Sequence, residues 1–140
     1  MNFSLVLRNP NITGDGIQYT SVVFNWFQGN GYTNVVGIPW LVEPGYGFLT
    51  YLFNIFIGDI ELSGMLVSSA AYLLLILLVY FTVRYLGSAL AALLSVLFVA
   101  FYPYLLTFSW LNLTDSVFSF FVFLCFSVYV RVLLEEKKVV

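Results

Sequence analysis

The sequence contains no histidine, a single cysteine and few charged residues. The absence of histidine removes the commonest general base and the commonest metal ligand, so proton transfer would fall to carboxylates, lysine or tyrosine. Cys125 lies alone within an apolar run, which excludes a disulfide framework and is typical of a packing residue. Charged residues make up 9% of the chain and form no basic cluster, which argues against a nucleic-acid partner.

Apolar residues, by contrast, are present in large excess. Hydrophobic residues make up 61% of the 140-residue chain, and aromatic residues make up 20%. A soluble chain of this length would have too little polar surface to cover so many apolar side chains. A bilayer removes this conflict because side chains that face lipid need no polar cover. The composition therefore predicts an integral membrane protein.

The first part of the chain, residues 1–61, is expected to be an external loop that carries two short amphipathic helices. Apolar residues recur at helical spacing over 17–28, which predicts a helix lying on the membrane surface. Pro44 opens a second apolar segment and Gly58 closes it, a pattern typical of a helix over 44–58. This segment would rise only about 22 Å, less than the roughly 30 Å of the hydrocarbon core, which favours an interfacial or re-entrant helix.

Three longer apolar segments follow and predict three transmembrane helices, at about 62–85, 88–108 and 115–134. Each is long enough to cross a bilayer and carries charge only near its ends. The last residues, 135–140, form a charged tail that is expected in solvent. The predicted fold class is all-α: a polytopic membrane protein with three transmembrane and two juxtamembrane helices.

The charged residues divide between the two sides of the membrane that these spans define. Three crossings place Arg84 on the same side as Arg131 and the two lysines of the tail. The acidic residues expected on the opposite side are Asp15, Glu43, Asp59, Glu61 and Asp115. Because basic residues favour the cytoplasmic side, we expect the acidic loop outside and the basic tail inside, in a plasma membrane or endoplasmic reticulum membrane.

Two carboxylates are the candidate functional groups. Asp15 precedes the first surface helix, and Asp115 lies between the second and third predicted spans. Both are expected at the outer interface, so they could approach one site although a hundred residues separate them. A carboxylate held there could act as a general base or bind a cationic group. The alternative is that each caps the helix that follows it, and capping is compatible with catalysis.

Four tyrosines are interpreted as anchors in the headgroup region, with sugar stacking as the alternative. They are Tyr46, Tyr51, Tyr102 and Tyr104. Asn112-Leu113-Thr114 matches an N-glycosylation pattern, but it lies too near the membrane to be an expected acceptor.

Short motifs follow one another in an order known from one family of membrane enzymes. Tyr19 comes four positions after Asp15, and Glu43-Pro44 opens the second short helix. The later motifs are Phe56-Ile57-Gly58, the turn Arg84 to Gly87, Pro103, and Leu113-Thr114-Asp115. Over about 14–134 this series resembles GT-C fold membrane glycosyltransferases of the dolichyl-phosphate-mannose protein mannosyltransferase and aminoarabinose transferase type (families 39 and 83).

The resemblance implies a partial GT-C fold and sugar transfer from a polyprenyl-phosphate-linked donor to a protein or lipid acceptor. The reaction would take place on the outer face, whether periplasmic, extracellular or lumenal. The resemblance also implies that Asp15 is the catalytic base or an acid that binds the acceptor, and that Asp115, Tyr19 and Glu43 bind substrate. No cofactor is implied with certainty. Gly16 stands where a second acidic residue often follows in the family, which argues against a paired-acid or metal-binding version, so the involvement of a divalent cation is left unknown.

Relatives in this family have a span before the catalytic acid and many more spans after it. The chain is therefore expected to be an amino-terminal fragment, which alone could be inactive. The rival hypothesis is a non-catalytic membrane scaffold or subunit in which Asp15 and Asp115 only cap helices. A transporter is a weaker hypothesis, because the centres of the predicted spans carry no ionisable residue.

Overall fold

Six α-helices make up most of the computed structural model, which describes residues 14–34, 36–40 and 44–139. They are α1 (Gly14–Phe27), α2 (Pro44–Ile57), α3 (Ile60–Leu86), α4 (Ala89–Ala100), α5 (Pro103–Phe108) and α6 (Asp115–Val139). Within the described residues the only β pairing is an isolated bridge between Thr33 and Pro39. The predicted all-α class is confirmed for this part of the chain.

Two of these helices, α3 and α6, are long and apolar enough to cross a membrane. Only 11% of the apolar window of α6 is buried against the rest of the protein, and 39% of that of α3. Most of their apolar side chains therefore face outwards, which would be costly in water at roughly 25 cal/mol per Å². Such exposure is typical of helices that are surrounded by lipid.

The helices α3 and α6 run parallel, and hydroxyl groups join them at two levels. Ser68 Oγ of α3 donates to the carbonyl oxygen of Leu113, just before α6, at 2.9 Å. Fourteen residues further along both segments, the buried hydroxyls of Thr82 and Ser127 lie 2.7 Å apart. Because the two contacts are fourteen residues apart in each segment, both segments run in the same direction. It also means that the chain must return between them over the same length.

The chain returns as α4 and α5, which are separated by a break at Phe101 and Tyr102. Pro103 begins α5, and Tyr102 before it has an extended backbone, with φ −69° and ψ 114°. Proline has no N–H and its ring clashes with the preceding turn, which accounts for the break in the helix at this point. The segment predicted as one span, 88–108, is thus described as two shorter helices, α4 and α5.

A tyrosine of α3 lies against this break. The hydroxyl of Tyr72 is 2.8 Å from the carbonyl oxygen of Ala100 and 3.2 Å from that of Val99. Pro103 provides no amide hydrogen for the Val99 carbonyl, which accepts instead from the amide of Tyr102 at 3.2 Å. Tyr72 supplies a donor at this place and joins the middle of α3 to the break.

A two-residue corner joins α2 to α3. Gly58 follows the last residue of α2 with φ +74°, a left-handed conformation that suits glycine. Asp59 then caps α3, since its Oδ1 accepts from the amide of Leu62 at 3.0 Å. The corner folds α2 back onto α3, and the two meet α6 in a small core. Its buried members are Tyr46, Val67, Ala71 and Val117.

The first helix, α1, packs on α2 and α3. It begins at Gly14, three residues before the expected start, so Asp15 lies inside its first turn and not at the cap position. The buried residues of α1 are Gly16, Thr20, Ser21, Val22 and Val23. This face consists of small side chains, two of which carry hydroxyl groups, whereas the aromatic side chain of Phe27 remains 40% exposed.

Candidate functional site

A buried hydrogen-bond network joins α1, α2, α3 and the segment before α6. The hydroxyl of Tyr46 donates to the side-chain oxygen of Asn112. It also lies 3.1 Å from the Gly64 carbonyl oxygen and 3.4 Å from Ser68 Oγ. The side-chain nitrogen of Asn112 donates to Thr20 Oγ1 at 2.8 Å. We refer to Tyr46, Gly64, Ser68, Asn112 and Thr20 as the Tyr46–Asn112 network.

The direction of donation in this network is determined by Thr20. Its one hydroxyl hydrogen is donated to the carbonyl oxygen of Gly16 at 2.8 Å. The oxygen of Thr20 therefore acts as an acceptor towards Asn112, which places the amide nitrogen there and leaves the amide oxygen for Tyr46. A chain of donors and acceptors thus runs from Tyr46 to the backbone of Gly16, the residue next to Asp15.

Gly64 provides the space that the Asn112 side chain occupies. A Cβ atom on Gly64 would lie 1.9 Å from Asn112 Oδ1 and 2.5 Å from its Cγ, well inside van der Waals contact. Asn112 is itself only 4% exposed. Its amide is held on both sides, so it cannot move aside without breaking hydrogen bonds.

Tyr46 is a buried donor, and its interpretation as an interfacial anchor is wrong. Its side chain is 3% exposed, and burial raises the pKa of its hydroxyl well above the ordinary value for tyrosine. The group therefore stays protonated throughout the physiological pH range. It can hold Asn112 in place, but it cannot take a proton from a substrate.

Asp115 begins α6 and is half-buried. The hydroxyl of Tyr104 donates to its Oδ1 at 3.0 Å. The carbonyl of Thr114 accepts from the amide of Phe118 at 2.9 Å, which is the first hydrogen bond of the helix. The cap position therefore belongs to Thr114, and Asp115 lies one residue inside the helix with its side chain paired to Tyr104.

Asp15 is exposed in the first turn of α1. It neighbours Gly16, where the chain of donors ends, while Asp115 comes three residues after Asn112. The structure thus brings both acidic residues close to one network, at the same end of the molecule. Among the described residues no hydrogen bond joins the two carboxylates, and no group of three acidic or cysteine side chains could hold a metal ion.

The remaining two predicted site residues have different outcomes. Tyr19 is half-buried, and its ring meets that of Tyr46 edge-on, with centroids 5.4 Å apart. It also meets the ring of Trp40 edge-on at 6.5 Å. These contacts hold α1 against α2 and against Trp40. Glu43 lies outside the residues that the structure describes.

An apolar groove opens beside the network, between α2 and the start of α6. Its volume is about 450 Å³, and its walls include Phe48, Leu49, Val117 and Phe121. A smaller groove of about 200 Å³ shares three of these residues and continues along α3. Tyr46 lies in the wall of the larger groove. Together the two grooves can accommodate a flexible apolar chain next to the network.

Acidic residues stand at the starts of the two parallel helices, and basic residues lie towards their other ends, where α6 also carries Glu135 and Glu136. Asp59 and Asp115 stand at the starts of α3 and α6, whereas Arg84 lies in the last turn of α3. The guanidinium of Arg131 lies over the ring of Tyr85, 5.4 Å from its centroid, which brings the far ends of the two helices together.

Thr20 and Gly64 were not predicted from the sequence, and Asn112 was noted only as part of an N-glycosylation pattern. Two signals were available. A glycine near the start of a long apolar helix often marks a close approach by another segment. An asparagine between two apolar spans needs hydrogen-bond partners if it is buried. Neither signal identifies the partner, because the partners are far apart in the sequence.

Comparison with known proteins identifies the family. The family model for dolichyl-phosphate-mannose-protein mannosyltransferase matches residues 39–139, a region that contains α2 to α6. Asp15 and Tyr19 precede the matched region. Searches of curated proteins and of solved structures found no significant match. The match covers well over half of the chain and agrees with its outward-facing apolar helices. The chain therefore belongs to the dolichyl-phosphate-mannose-protein mannosyltransferase family of integral membrane glycosyltransferases.

Proposed function

We propose that this protein transfers a sugar from a polyprenyl-phosphate-linked donor to a protein or lipid acceptor on the outer face of the membrane. The observation that carries the proposal is the family match over residues 39–139. Two features of the structure support it. Asp15 and Asp115 lie close to one network, and an apolar groove of about 450 Å³ opens beside it.

In the proposed reaction Asp15 is the general base. Its carboxylate accepts the proton of the acceptor group while the acceptor atom forms a bond to the sugar carbon. The bond from that carbon to the phosphate oxygen breaks, and the polyprenyl phosphate leaves with the electron pair. The exposed position of Asp15 suits this role because an acceptor can reach it. Asp115 and Glu43 are proposed to bind hydroxyl groups of the substrates.

The groove between α2 and α6 is the proposed position of the donor's isoprenoid chain. Its walls are apolar, and it lies at the same end of the helix pair as Asp115. An isoprenoid chain in the groove would bring its phosphate-linked sugar towards the acidic end. Tyr19 is proposed to line the sugar site from α1, next to Tyr46.

The donor class is tested with the full-length protein in proteoliposomes. We expect transfer of radiolabelled mannose from synthetic polyprenyl-phosphate mannose to protein or lipid in a membrane extract, with release of polyprenyl phosphate. The matched control replaces the lipid donor with a nucleotide sugar, and we expect no transfer from it. Transfer from the nucleotide sugar alone, or from neither donor, would contradict the proposal.

We further propose that α3, the α4–α5 pair and α6 form three membrane crossings. The parallel course of α3 and α6 supports a return crossing between them, over residues 89–108. Because basic residues favour the cytoplasmic side, the ends of α3 and α6 that carry Arg84 and Arg131 are placed inside. The acidic end then faces outwards from a plasma membrane or endoplasmic reticulum membrane.

Cysteine labelling tests this topology. In a Cys125→Ala background, Trp110→Cys should react with a membrane-impermeant maleimide from the outer side. Gly87→Cys should react only after the membrane is permeabilised, because it follows the opposite end of α3. Labelling of both positions from one side would rule out the return crossing. Labelling in the reverse order would rule out the proposed orientation.

A further inference from the structure

We propose that Asn112 is a positioning residue that fixes Asp15 for sugar transfer, acting through Thr20 and the backbone of Gly16. The proposal rests on the proposed function, in which Asp15 is the general base. It concerns a different question, namely what holds an exposed acidic residue in one place. The Tyr46–Asn112 network answers that question with side chains that lie far from Asp15 in the sequence.

The first step is the path from Asn112 to Asp15. The amide nitrogen of Asn112 donates to Thr20 Oγ1 at 2.8 Å, and that hydroxyl donates to the Gly16 carbonyl oxygen at 2.8 Å. Gly16 and Thr20 are both buried, whereas Asp15 next to them is exposed. The first turn of α1 is therefore held from its buried side, and Asp15 is the part of the turn that a substrate can reach.

The second step is the anchoring of Asn112 itself. Its side-chain oxygen accepts from Tyr46, which belongs to the core formed by α2, α3 and α6. The residue after it, Leu113, accepts from Ser68 of α3 at 2.9 Å. Gly64 has no side chain, and the amide of Asn112 occupies the space where a Cβ would lie. Asn112 is thus fixed to the membrane helices before it contacts α1.

The third step is the chemical requirement for an amide at this position. The site needs an acceptor towards Tyr46 and a donor towards Thr20, because the hydroxyl hydrogen of Thr20 is already used by Gly16. A carboxylate provides only acceptors, and leucine provides neither group. An asparagine amide meets both needs within one short side chain.

The consequence for the reaction follows from geometry. A displacement of about 1 Å in a catalytic group can lower a rate roughly 100-fold. Loss of the link to Thr20 would remove the hydrogen bond from Asn112 to α1. The aromatic contact of Tyr19 with Tyr46 would still hold the helix against α2. We therefore expect a loss of rate without a loss of fold.

The test uses Thr20→Val in the full-length protein, because valine keeps the shape of threonine and removes its hydroxyl. We expect kcat to fall about 10- to 100-fold, with KM for the lipid donor within about twofold of wild type. Thr20→Ser restores the hydroxyl and should restore kcat to within about threefold. The matched control is Ser21→Ala, since Ser21 donates only within α1, to the Gln18 carbonyl at 2.7 Å. This control should transfer sugar like wild type.

The failure of this inference can be told apart from the failure of the proposed function. Wild-type kcat in Thr20→Val, or the same loss of kcat in Thr20→Ser, would overturn the positioning role. A rise in KM with unchanged kcat would also overturn it. Asp15→Asn is measured in parallel. If that variant loses transfer while Thr20→Val does not, Asp15 remains the proposed base and only the positioning role is rejected.

Discussion

Replacing Asp15 with asparagine should lower the rate of sugar transfer by about 100-fold or more, while insertion and folding remain those of the wild type. Asparagine has the size of aspartate but cannot accept a proton, and general-base catalysis typically contributes 10²- to 10⁴-fold to a rate. The side chain is exposed in the first turn of α1, so its replacement should change few packing contacts. The measurement is the initial rate from the labelled lipid donor, together with the apparent Tm in detergent.

Asp59 provides the matched control for this experiment. Asp59 is also an exposed acidic residue at a helix start. Its role is structural, because it caps α3 by accepting a hydrogen bond from the amide of Leu62. Asp59→Ala should lower the free energy of unfolding by about 1 kcal/mol and retain transfer. The scaffold hypothesis predicts a different pattern, in which Asp15→Ala destabilises the protein and Asp15→Asn has little effect. Wild-type transfer by Asp15→Asn would refute the catalytic role.

Gly64→Ala should lower the free energy of unfolding by about 3 kcal/mol. The added Cβ would lie 1.9 Å from Asn112 Oδ1, so the amide must move and its buried hydrogen bonds must break. Overpacking of a core costs about 1–3 kcal/mol, and a buried polar group left unpaired costs a similar amount. Thermal or denaturant unfolding in detergent measures the change, and near wild-type stability would contradict the described packing.

Gly45→Ala is the control for this effect. Gly45 is also a helical glycine, but a Cβ there meets nothing within 4 Å. Because alanine is a better helix former than glycine, this change should leave stability unchanged or raise it slightly.

A second comparison uses two residues of the Tyr46–Asn112 network. Asn112→Ala should cost less in the Gly64→Ala protein than in the wild type, since the two changes disturb the same contact.

The sequence predicted those parts of the fold that local chemistry determines. Pro44 and Gly58 mark α2 because one residue suits a helix start and the other suits the turn after its end. The apolar runs of α3 and α6 were visible for the same reason. The break at Pro103 was missed, because the apolar run continues across it. Its stabilisation depends on Tyr72, which lies thirty-one residues earlier.

Of the candidate site, only the two acidic residues were predicted from the sequence. Asp15 and Asp115 were expected on one side, and the structure places both near the same network. The network itself could not be derived, because its members come from four separate segments of the chain. Tyr46 shows the difficulty. Its place at the start of an interfacial helix suggested an anchor in the headgroups, whereas its side chain points into the core.

The parallel course of α3 and α6 also gives the protein an electrical polarity. In a hairpin of two neighbouring spans the helix dipoles oppose each other, but here two long dipoles point the same way and add. The positive ends of both helices coincide with acidic residues, Asp59 and Asp115, and the negative end of α3 lies near Arg84. At these three helix ends the fixed charge of a side chain thus offsets the partial charge that the backbone itself creates.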